Sequence, residues 1–387
     1  MRPLRIGVNA LYLIPGGVGG TEIYLHQLLR ALAEVDARNE YFVFTNRETG
    51  PDLVPAQPNF HAMPQPVRAR FRSARIVWEQ TLLPLAATRL GLDVLLNPGF
   101  TAPLYCPCAA VTVFHDMQHK RHPEHFRWFD LPFWRVLLFA SAHRATVLLA
   151  DSDATRADVL RYYRLPPARV RVVRLGVDPV FFGLRRAPEK LLLTVSTLHP
   201  HKGLDALLQA FAQFRRERPN FRLVVAGLRG FHAEALEKLR ADLGLADVVE
   251  FTGWIPRAQL YDLYARAWAF LYPSTFEGFG MPVVEALAAG IPTGCSNIEP
   301  LAAMAGEAAL QFEPANVEAI CSAMVRLVAD EALRARLSTA GPARAAAFSW
   351  SATAHATLDA IQEAVGQDSS PAAGVHAGPL GKESAAR

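Results

Sequence analysis

Two glutamates flank the stretch of sequence that is richest in chemical signals. Glu277 and Glu285 stand on either side of the turn Gly278-Phe279-Gly280, which continues into Met281 and Pro282. A Gly-rich turn after a strand, with proline near the first helical position, directs backbone N–H groups and the positive end of a helix toward the edge of a sheet. The pattern predicts a site for a diphosphate or a sugar hydroxyl, with Glu277 at its mouth.

Glu285 is the only charged residue between Gly278 and Ile298, and its segment is apolar on nearly all sides. Burial of a carboxylate without a partner costs free energy, so a partner is expected. A ribose of a bound ligand is one candidate, and a buried backbone donor is the alternative. For Glu277 the alternative interpretation is that its carboxylate only complements a helix dipole.

Lys202 follows a predicted strand at residues 191–196 and precedes a helix that begins near Gly203. The positive end of a helix disfavours a cation unless an anion lies between them. The position therefore favours phosphate binding, and a solvated loop lysine is the alternative.

A second glycine-rich loop, Gly16 to Gly20, lies between a predicted strand and a predicted helix at residues 21–34. Glycine allows the backbone to approach a ligand closely, and Thr21 is expected to cap the helix. The loop lacks the third glycine of GxGxxG, and no acidic residue closes the second strand at Asn46. An NAD site is therefore disfavoured.

His115 and Asp116 end another predicted strand, so they are expected at the ligand-binding edge of a sheet. Together with His119, His122 and His125 they raise the hypothesis of a metal site. No HExxH spacing supports a tetrahedral centre, and we expect no metal at the active site.

Short apolar runs alternate with helical segments from the first residues to about Asp330, which predicts βα units and parallel sheets. We expect two doubly wound α/β domains, residues 1–183 and 184–347, with a linker near residues 180–190. Residues 348–366 should form a helix that packs back on the first domain, and residues 367–387 a disordered tail. Predicted strands cover residues 4–9, 41–45, 93–97, 109–115, 147–152, 191–196, 221–226, 248–252, 269–272 and 291–295.

Composition sets outer limits on function. The chain has 387 residues, of which 51% are hydrophobic and 20% are charged, enough for two cores. A net charge of +4 is too weak and dispersed to argue for nucleic-acid binding. Four cysteines without a CxxC pair fit a reducing cytoplasm, and the sequence shows neither a signal peptide nor an apolar stretch of membrane length.

Two basic and aromatic clusters suggest contact with the inner face of a membrane. Arg68, Arg70, Arg72 and Arg75 precede Trp78, and a second cluster runs through residues 119–134. Such clusters favour anionic lipid or a lipid-linked acceptor, whereas a solvated helix face is the alternative.

Seven residues separate Glu277 from Glu285, and Ala289-Gly290-Ile291-Pro292 follows. This combination resembles glycosyltransferase family 4. The resemblance extends over most of the chain; its further motifs are Gly16 to Glu22, Trp78-Glu79-Gln80, His115-Asp116, Gly176-Val177-Asp178 and Phe251-Thr252-Gly253-Trp254. It implies the GT-B fold, in which two Rossmann-like domains face each other across a cleft. The first domain would bind the acceptor and the second the nucleotide-sugar donor.

The resemblance also implies roles for residues. Glu277 would contact the donor sugar, Glu285 the ribose and His115 the transferred sugar, with Lys202 on the diphosphate. Many members carry an arginine where this chain has Ser196, so Lys202 would work with His199, His201 or backbone donors. The implied catalytic residues are His115, Glu277 and Lys202. The implied donor-binding residues are Gly19, Gly20, Ser196, Lys202, Trp254, Gly278, Phe279, Gly280, Met281 and Glu285. Auxiliary or acceptor-binding roles fall to Asp116, Thr21 and Glu22.

The implied activity is metal-independent hexosyl transfer with retention of configuration, from a nucleotide sugar to a saccharide or lipid-linked acceptor. A mannose-like sugar on GDP is favoured over UDP-sugars, and bacterial surface polysaccharide, including lipopolysaccharide, is the expected product. No cofactor is expected. Two alternatives stay open: a UDP-sugar 2-epimerase-like enzyme, and an inactive nucleotide-sugar-binding partner.

Overall fold

Two parallel sheets with helices on their faces make up the computed structural model, which describes residues 2–17, 19–126 and 128–368. The first sheet has the strand order β3-β2-β1-β4-β5-β6-β7 and the second β10-β9-β8-β11-β12-β13. In both sheets the order reverses beside the first strand, between β1 and β4 and between β8 and β11. Ligands of open α/β sheets bind at this switch point, outside the carboxyl ends of the strands.

The strands are β1 (Arg5–Asn9), β2 (Glu40–Thr45), β3 (Phe60–Pro64), β4 (Val94–Asn97), β5 (Ala109–Phe114), β6 (Val147–Ala150), β7 (Val170–Val172), β8 (Leu191–Val195), β9 (Arg222–Ala226), β10 (Val249–Gly253), β11 (Ala269–Tyr272), β12 (Thr293–Ser296) and β13 (Leu310–Phe312). The helices are α1 (Gly20–Val35), α2 (Arg72–Leu90), α3 (Gln118–Arg121), α4 (Leu131–Arg144), α5 (Asp153–Tyr163), α6 (Leu204–Glu217), α7 (Ala233–Asp242), α8 (Arg257–Arg266), α9 (Met281–Ala288), α10 (Leu301–Ala305), α11 (Val317–Ala329), α12 (Glu331–Ala345) and α13 (Trp350–Asp368).

The predicted α/β fold is confirmed, and the central strands explain why it could be predicted from the sequence. Strands β4, β5 and β6 are buried at every position. A strand covered by helices on both faces reads as a continuous apolar run. Strands β3, β7 and β13 were not predicted. They lie at or next to sheet edges, span three to five residues and alternate in burial.

One apolar cluster joins the two sheets. It runs from Leu28 of α1 and Ile361 of α13 through Phe181 to Tyr264 of α8 and Val283 of α9. Phe181 sits in the segment between the sheets and packs edge-on against Tyr264, with ring centroids 4.9 Å apart. The apolar packing therefore continues through the crossover segment.

Helix α13 follows the second sheet in sequence but packs on the first. It contacts α1 and β5, and the Thr353 hydroxyl donates to the carbonyl of Arg174 at 2.8 Å. The helix continues to Asp368, where Gln367 donates to Glu363 one turn earlier. Residues 367 and 368, which the sequence assigned to the tail, thus belong to this helix, and residues 369–387 lie outside the described chain.

Exposed large apolar side chains and arginines lie on α2, on α4 and in the segments that precede these helices. We define the α2/α4 face by its exposed residues Arg68, Arg70, Arg72, Phe71, Leu82, Leu85, Trp128, Phe129, Phe133, Val136 and Phe139. The guanidinium of Arg72 lies 4.4 Å from the Trp134 ring centroid and links the two helices. No helix within the described residues has the length and apolar character to cross a bilayer.

Three residues that the sequence assigned to this surface lie elsewhere. Arg75 is buried and paired with Glu79 at 3.4 Å. His119 is buried against the Tyr163 hydroxyl at 2.7 Å, and Trp78 is partly buried with its indole N–H on Gln65. Helical periodicity turns these positions toward the core, because only every third or fourth residue shares a face. Arg127 lies outside the described residues.

Replacement of Gly176 by alanine should displace the start of α13. A Cβ at this residue would overlap with the backbone N of Trp350 and come within 2.6 Å of its Cγ. Overpacking of this kind costs about 1–3 kcal/mol, so we expect a melting temperature several degrees below wild type. Gly50→Ala is the matched control, since nothing lies within 4 Å of its Cβ position. Equal melting temperatures for the two variants would contradict the tight docking of α13.

Candidate active site

The loops at the carboxyl ends of both sheets enclose a cleft of about 720 Å³. Such a volume lies within the usual range of ligand pockets. Every residue of the implied catalytic, donor-binding and auxiliary sets lines this cleft: Gly19, Gly20, Thr21, Glu22, His115, Asp116, Ser196, Lys202, Trp254, Glu277, Gly278, Phe279, Gly280, Met281 and Glu285. The structure thus brings together residues that are up to 266 positions apart in sequence, Gly19 and Glu285.

Lys202 and Glu277 form an ion pair at the base of the cleft. The ammonium Nζ of Lys202 donates to Oε1 of Glu277 at 2.7 Å, and it lies 3.4 Å from the hydroxyl of Tyr272. Both side chains are largely buried, at 15% and 9% exposure. Removal of one partner would leave an uncompensated buried charge, which costs about 3–5 kcal/mol. The two residues therefore act as a unit.

Two helices begin at the cleft without a side-chain cap. Helix α1 has Gly19 as its N-cap (φ 63°) and α9 has Gly280 (φ 102°), and neither cap accepts from the helix through a side chain. The expectation that Thr21 caps α1 is therefore wrong, because the helix begins at Gly20 and Thr21 lies inside its first turn. Uncapped N-termini carry partial positive charge and unpaired N–H groups, which suits a diphosphate.

The Gly16 to Gly20 loop reaches across to the second sheet. A Cβ at Gly16 would lie 3.6 Å from Nε1 of Trp254, and one at Gly20 would lie 3.2 Å from Cε of Met281. The backbone N–H of Gly16 donates to the Glu22 carboxylate at 2.8 and 3.1 Å. Glu22 therefore shapes the loop from within, and its half-burial raises its pKa.

Glu285 has a protein partner that the sequence did not reveal. The hydroxyl of Tyr264 donates to its Oε2 at 2.9 Å. Burial raises the pKa of Glu285 to about 7, against the lowering effect of Arg257 and of the Tyr264 hydrogen bond. The carboxyl group lines the cleft and changes its charge near neutral pH.

Arg257 is a cleft residue that sequence reasoning missed. Its guanidinium donates to Oδ2 of Asp178 at 2.8 Å and to the hydroxyl of Tyr261 at 2.8 Å. Tyr261 also donates to Asp178, which lies in the crossover segment. The one available signal was its place at the start of α8, directly after Ile255-Pro256. Arg257 supplies a cation on the Glu285 side of the cleft.

His115 is held by two acceptors. Its Nδ1 lies 2.7 Å from Oδ2 of Asp151 and its Nε2 lies 2.8 Å from the carbonyl oxygen of Pro98. A carboxylate and a carbonyl oxygen both accept, so these two contacts favour the protonated ring, in which both nitrogens donate. Burial opposes this charge, but Asp151 and the Pro98 carbonyl raise the pKa of His115 above its ordinary value. A bond from the ring to a sugar would require Nε2 to leave Pro98.

Gly278 lies against the backbone of His115. A Cβ at residue 278 would overlap with the His115 carbonyl oxygen. The Gly278 carbonyl accepts from the hydroxyl of Ser152 at 2.6 Å and from that of Thr155 at 3.1 Å. These hydroxyls stand at the start of α5 on the first sheet. The loop that carries Glu277 is thus anchored to the opposite half of the molecule.

Ser196 leaves a buried polar atom without a protein partner. Its Oγ is buried and makes no hydrogen bond within the described residues. Such atoms are rare and indicate a ligand or water. His199 and His201, expected to help Lys202, stack on each other and pack edge-on against Phe231 and Phe276. Neither histidine is among the residues that line the cleft, so their role beside Lys202 stays a prediction.

The four histidines and one aspartate of the metal hypothesis do not come together as one ligand cluster within the described residues. His115 is engaged as described, and Asp116 accepts from the backbone N–H of Gln118 at 2.8 Å. His119 is bound to Tyr163. His122 and His125 lie near each other, outside the set of residues that line the cleft.

The titration of Glu285 should be visible in stability. The folded chain retains this proton up to about pH 7, while the unfolded chain loses it near 4.5. Between these values the folded state binds more protons, so the free energy of unfolding falls as pH rises, by at most about 1.4 kcal/mol per unit. We expect Glu285→Gln to gain stability relative to wild type from about pH 5 to about pH 7.

Thermal unfolding of both proteins across this window measures the effect. Glu234→Gln, at an exposed position of α7, is the matched control. A stability difference between wild type and Glu285→Gln that does not change with pH would show that Glu285 is ionised throughout.

Two family descriptions match adjoining parts of the chain, from residue 18 to residue 344. Glycosyltransferase Family 4 matches residues 18–181, and Glycosyl transferases group 1 matches residues 181–344. The two matches meet within the crossover segment between the sheets. They cover both halves of the cleft.

Curated relatives and solved structures agree with these matches. The MMP alpha-(1->4)-mannosyltransferase of Mycolicibacterium hassiacum is 31% identical over 323 residues, which cover 78% of this chain and 76% of the relative. The O-antigen chain mannosyltransferase B of Escherichia coli is 30% identical over 266 residues, 65% of this chain and 70% of the relative. HepE from Anabaena, solved in complex with UDP and glucose, superimposes with a TM-score of 0.73 at 19% identity, over 93% of this chain and 99% of HepE.

The two sheets, the switch-point cleft and these matches lead to one conclusion. The chain belongs to glycosyltransferase family 4, the group 1 glycosyltransferases of GT-B fold.

Proposed function

We propose that this glycosyltransferase moves a mannose-like hexose from a GDP-sugar to a saccharide or lipid-linked acceptor, with retention of configuration and without a metal ion at the donor site. The product would be a bacterial cell-surface polysaccharide. Two relatives that match both halves of the chain are named as mannosyltransferases, one of them for O-antigen chains, which supports the sugar and the pathway. UDP stays the second choice of nucleotide.

The observation that carries the proposal is the Lys202–Glu277 pair between two uncapped helix ends. An ammonium has three N–H donors, so Lys202 can keep Glu277 and still bind a phosphate oxygen. The helix ends of α1 and α9 add positive potential at the same place. Together they would stabilise the leaving diphosphate as the glycosidic bond breaks.

Glu277 would then face the donor sugar, and Glu285 the ribose. Glu285 lines the cleft near Arg257. Its ionised form would accept hydrogen bonds from the ribose hydroxyls. We propose same-face substitution, in which the leaving phosphate takes the acceptor proton. The enzyme's side chains orient donor and acceptor, a contribution that is large when reacting atoms are held in contact.

A donor test separates the parts of this proposal. We expect GDP-mannose, with excess chelator present, to support transfer to a lipid-linked saccharide acceptor, and UDP-sugars to support it less. Glu277→Gln should lower kcat at least about 100-fold while calorimetric binding of GDP is kept, because the carboxylate would contact sugar rather than nucleotide. Lys202→Ala should weaken GDP binding itself.

The product's anomeric configuration, measured by NMR, tests retention. Glu234→Gln serves as the control for a remote carboxylate. Sugar-nucleotide conversion without acceptor would instead point to an epimerase, and GDP binding without transfer to any acceptor would point to an inactive partner. Loss of transfer on chelation, with the melting temperature unchanged, would overturn metal independence at the donor site.

We also propose that the α2/α4 face contacts the inner membrane surface, where a lipid-linked acceptor is presented. Trp128 is 84% exposed and Val136 69% exposed, beside the arginines of this face. Exposed aromatic and apolar groups with basic neighbours bind the boundary of anionic bilayers. This arrangement supports peripheral attachment by a chain whose cleft opens to water.

Sedimentation with vesicles measures this attachment. We expect binding to phosphatidylglycerol vesicles that weakens with salt, and about tenfold weaker binding for Trp128→Ser/Phe133→Ser, given the value of buried apolar area at the interface. Phe182→Ser removes an exposed aromatic residue of the crossover segment and is the control. Equal binding of both variants would contradict the proposed face.

A further inference from the structure

We propose that the turn His122-Pro123-Glu124-His125 binds one transition-metal ion, with Zn²⁺ as the favoured species, at a site separate from the donor cleft. Its ligands would be one nitrogen from each histidine and one oxygen from Glu124. This inference concerns stability and regulation and does not depend on the proposed sugar transfer.

The three ligand atoms are already close together. They all lie within 4.8 Å of one another, with Nδ1 of His122 3.0 Å and Nε2 of His125 4.0 Å from Oε1 of Glu124. Ligands of a tetrahedral zinc ion lie about 2.0–2.2 Å from the metal and therefore about 3.3 Å from each other. Small side-chain rotations would bring the three atoms to that spacing.

The turn holds these groups in place before any ion arrives. Residues Pro123–His125 form a 3₁₀ turn. Residues three apart lie over each other in such a turn, so His122 and His125 share one side. The rings of His122 and His125 stack at 5.2 Å with an angle of 11° between their planes. A preorganised ligand set lowers the entropic cost of binding.

The opposite half of the molecule supports both rings. Phe276 packs edge-on against His122 at 5.1 Å, and His201 lies 5.7 Å from His125. The other ring nitrogen of His125, Nδ1, is buried. The nitrogen that lies 4.0 Å from Glu124, Nε2, is therefore the ligand atom of this ring.

The donor set selects the ion. Two imidazoles and one carboxylate suit Zn²⁺, Ni²⁺, Cu²⁺ or Co²⁺, whereas Mg²⁺ and Ca²⁺ prefer oxygen ligands throughout. Three protein ligands leave a fourth position for water. Glu124 is exposed, with 61% of its side chain accessible, so the ion can enter from solvent.

Metal binding at this turn should affect the cleft through two residues that adjoin cleft residues in sequence. Phe276 immediately precedes Glu277, and His201 immediately precedes Lys202. An ion that fixes the His122 and His125 rings would stabilise the contact between the halves and hold this ion pair in place. The metal would raise the melting temperature without entering the chemistry.

Metal binding can be measured directly on the full chain, purified without a histidine tag. We expect one Zn²⁺ per chain by competition with a chromophoric chelator, and visible d–d bands of tetrahedral intensity when Co²⁺ is used. His122→Ala/His125→Ala should abolish both signals. Glu124→Gln, an exposed change that is not expected to disturb folding, should weaken Zn²⁺ binding at least about tenfold, since even partners of ligands change affinity by 10–100-fold.

His143→Ala and His199→Ala are the matched controls. His143 is exposed on α4, and His199 lies in the neighbouring histidine stack on the second half. Zn²⁺ should also raise the melting temperature of wild type and of the His143→Ala control, and leave that of Glu124→Gln nearly unchanged. No saturable 1:1 binding, or binding that survives the double variant, would overturn the proposal. Loss of binding in His199→Ala but not in Glu124→Gln would move the site elsewhere and overturn it too.

Discussion

The close approach of Gly278 to His115 is the constraint on which the cleft depends. There is no room for a side chain at residue 278, and the carbonyl of this glycine is fixed by hydroxyls from the start of α5. Glu277 precedes Gly278, and His115 carries the imidazolium on the other side. The separation of these two charged groups is thus set by backbone contact. The crossover segment alone would fix the separation of Glu277 and His115 less closely than this direct backbone contact does.

Most charges in the cleft are compensated before a ligand binds. Lys202 is paired with Glu277, His115 with Asp151, and Arg257 with Asp178. Buried pairs of this kind add little net stability, but they fix orientation and make loss of either partner costly. Two polar groups of the cleft are less fully satisfied. Glu285 has only the neutral Tyr264 hydroxyl as a direct partner, and Ser196 has none within the described residues. A ligand gains most where the protein leaves polar groups undersatisfied.

Sequence patterns predicted what depends on local chemistry. Buried parallel strands read as apolar runs, and glycine or charged residues directly after them identified the cleft lining, from Gly19 to Glu285. Short, half-exposed strands such as β7 have too few residues to show a clear alternation of apolar and polar side chains. The hydrogen-bonding partners of the cleft residues could not be predicted, because Asp151, Tyr264 and Asp178 are remote in sequence from the groups they bind. Arg75 shows the same limit, since nothing local distinguishes a buried arginine from a solvated one.

If the chain binds a nucleotide-sugar diphosphate as proposed, Ser196 in place of the arginine of many family members changes how that diphosphate would be held. Arg257 reaches the same cleft, but two of its N–H groups already serve Asp178 and Tyr261, and its charge is offset by that carboxylate. Lys202 keeps one N–H beside its contacts with Glu277 and Tyr272, and no side chain caps the N-terminal ends of α1 and α9. Under the proposed function, phosphate binding would fall to Lys202 and the backbone, while Arg257 ties α8 to the crossover segment. Ser196 would then shift one phosphate contact from a side chain to the backbone and leave a hydroxyl group for a ligand.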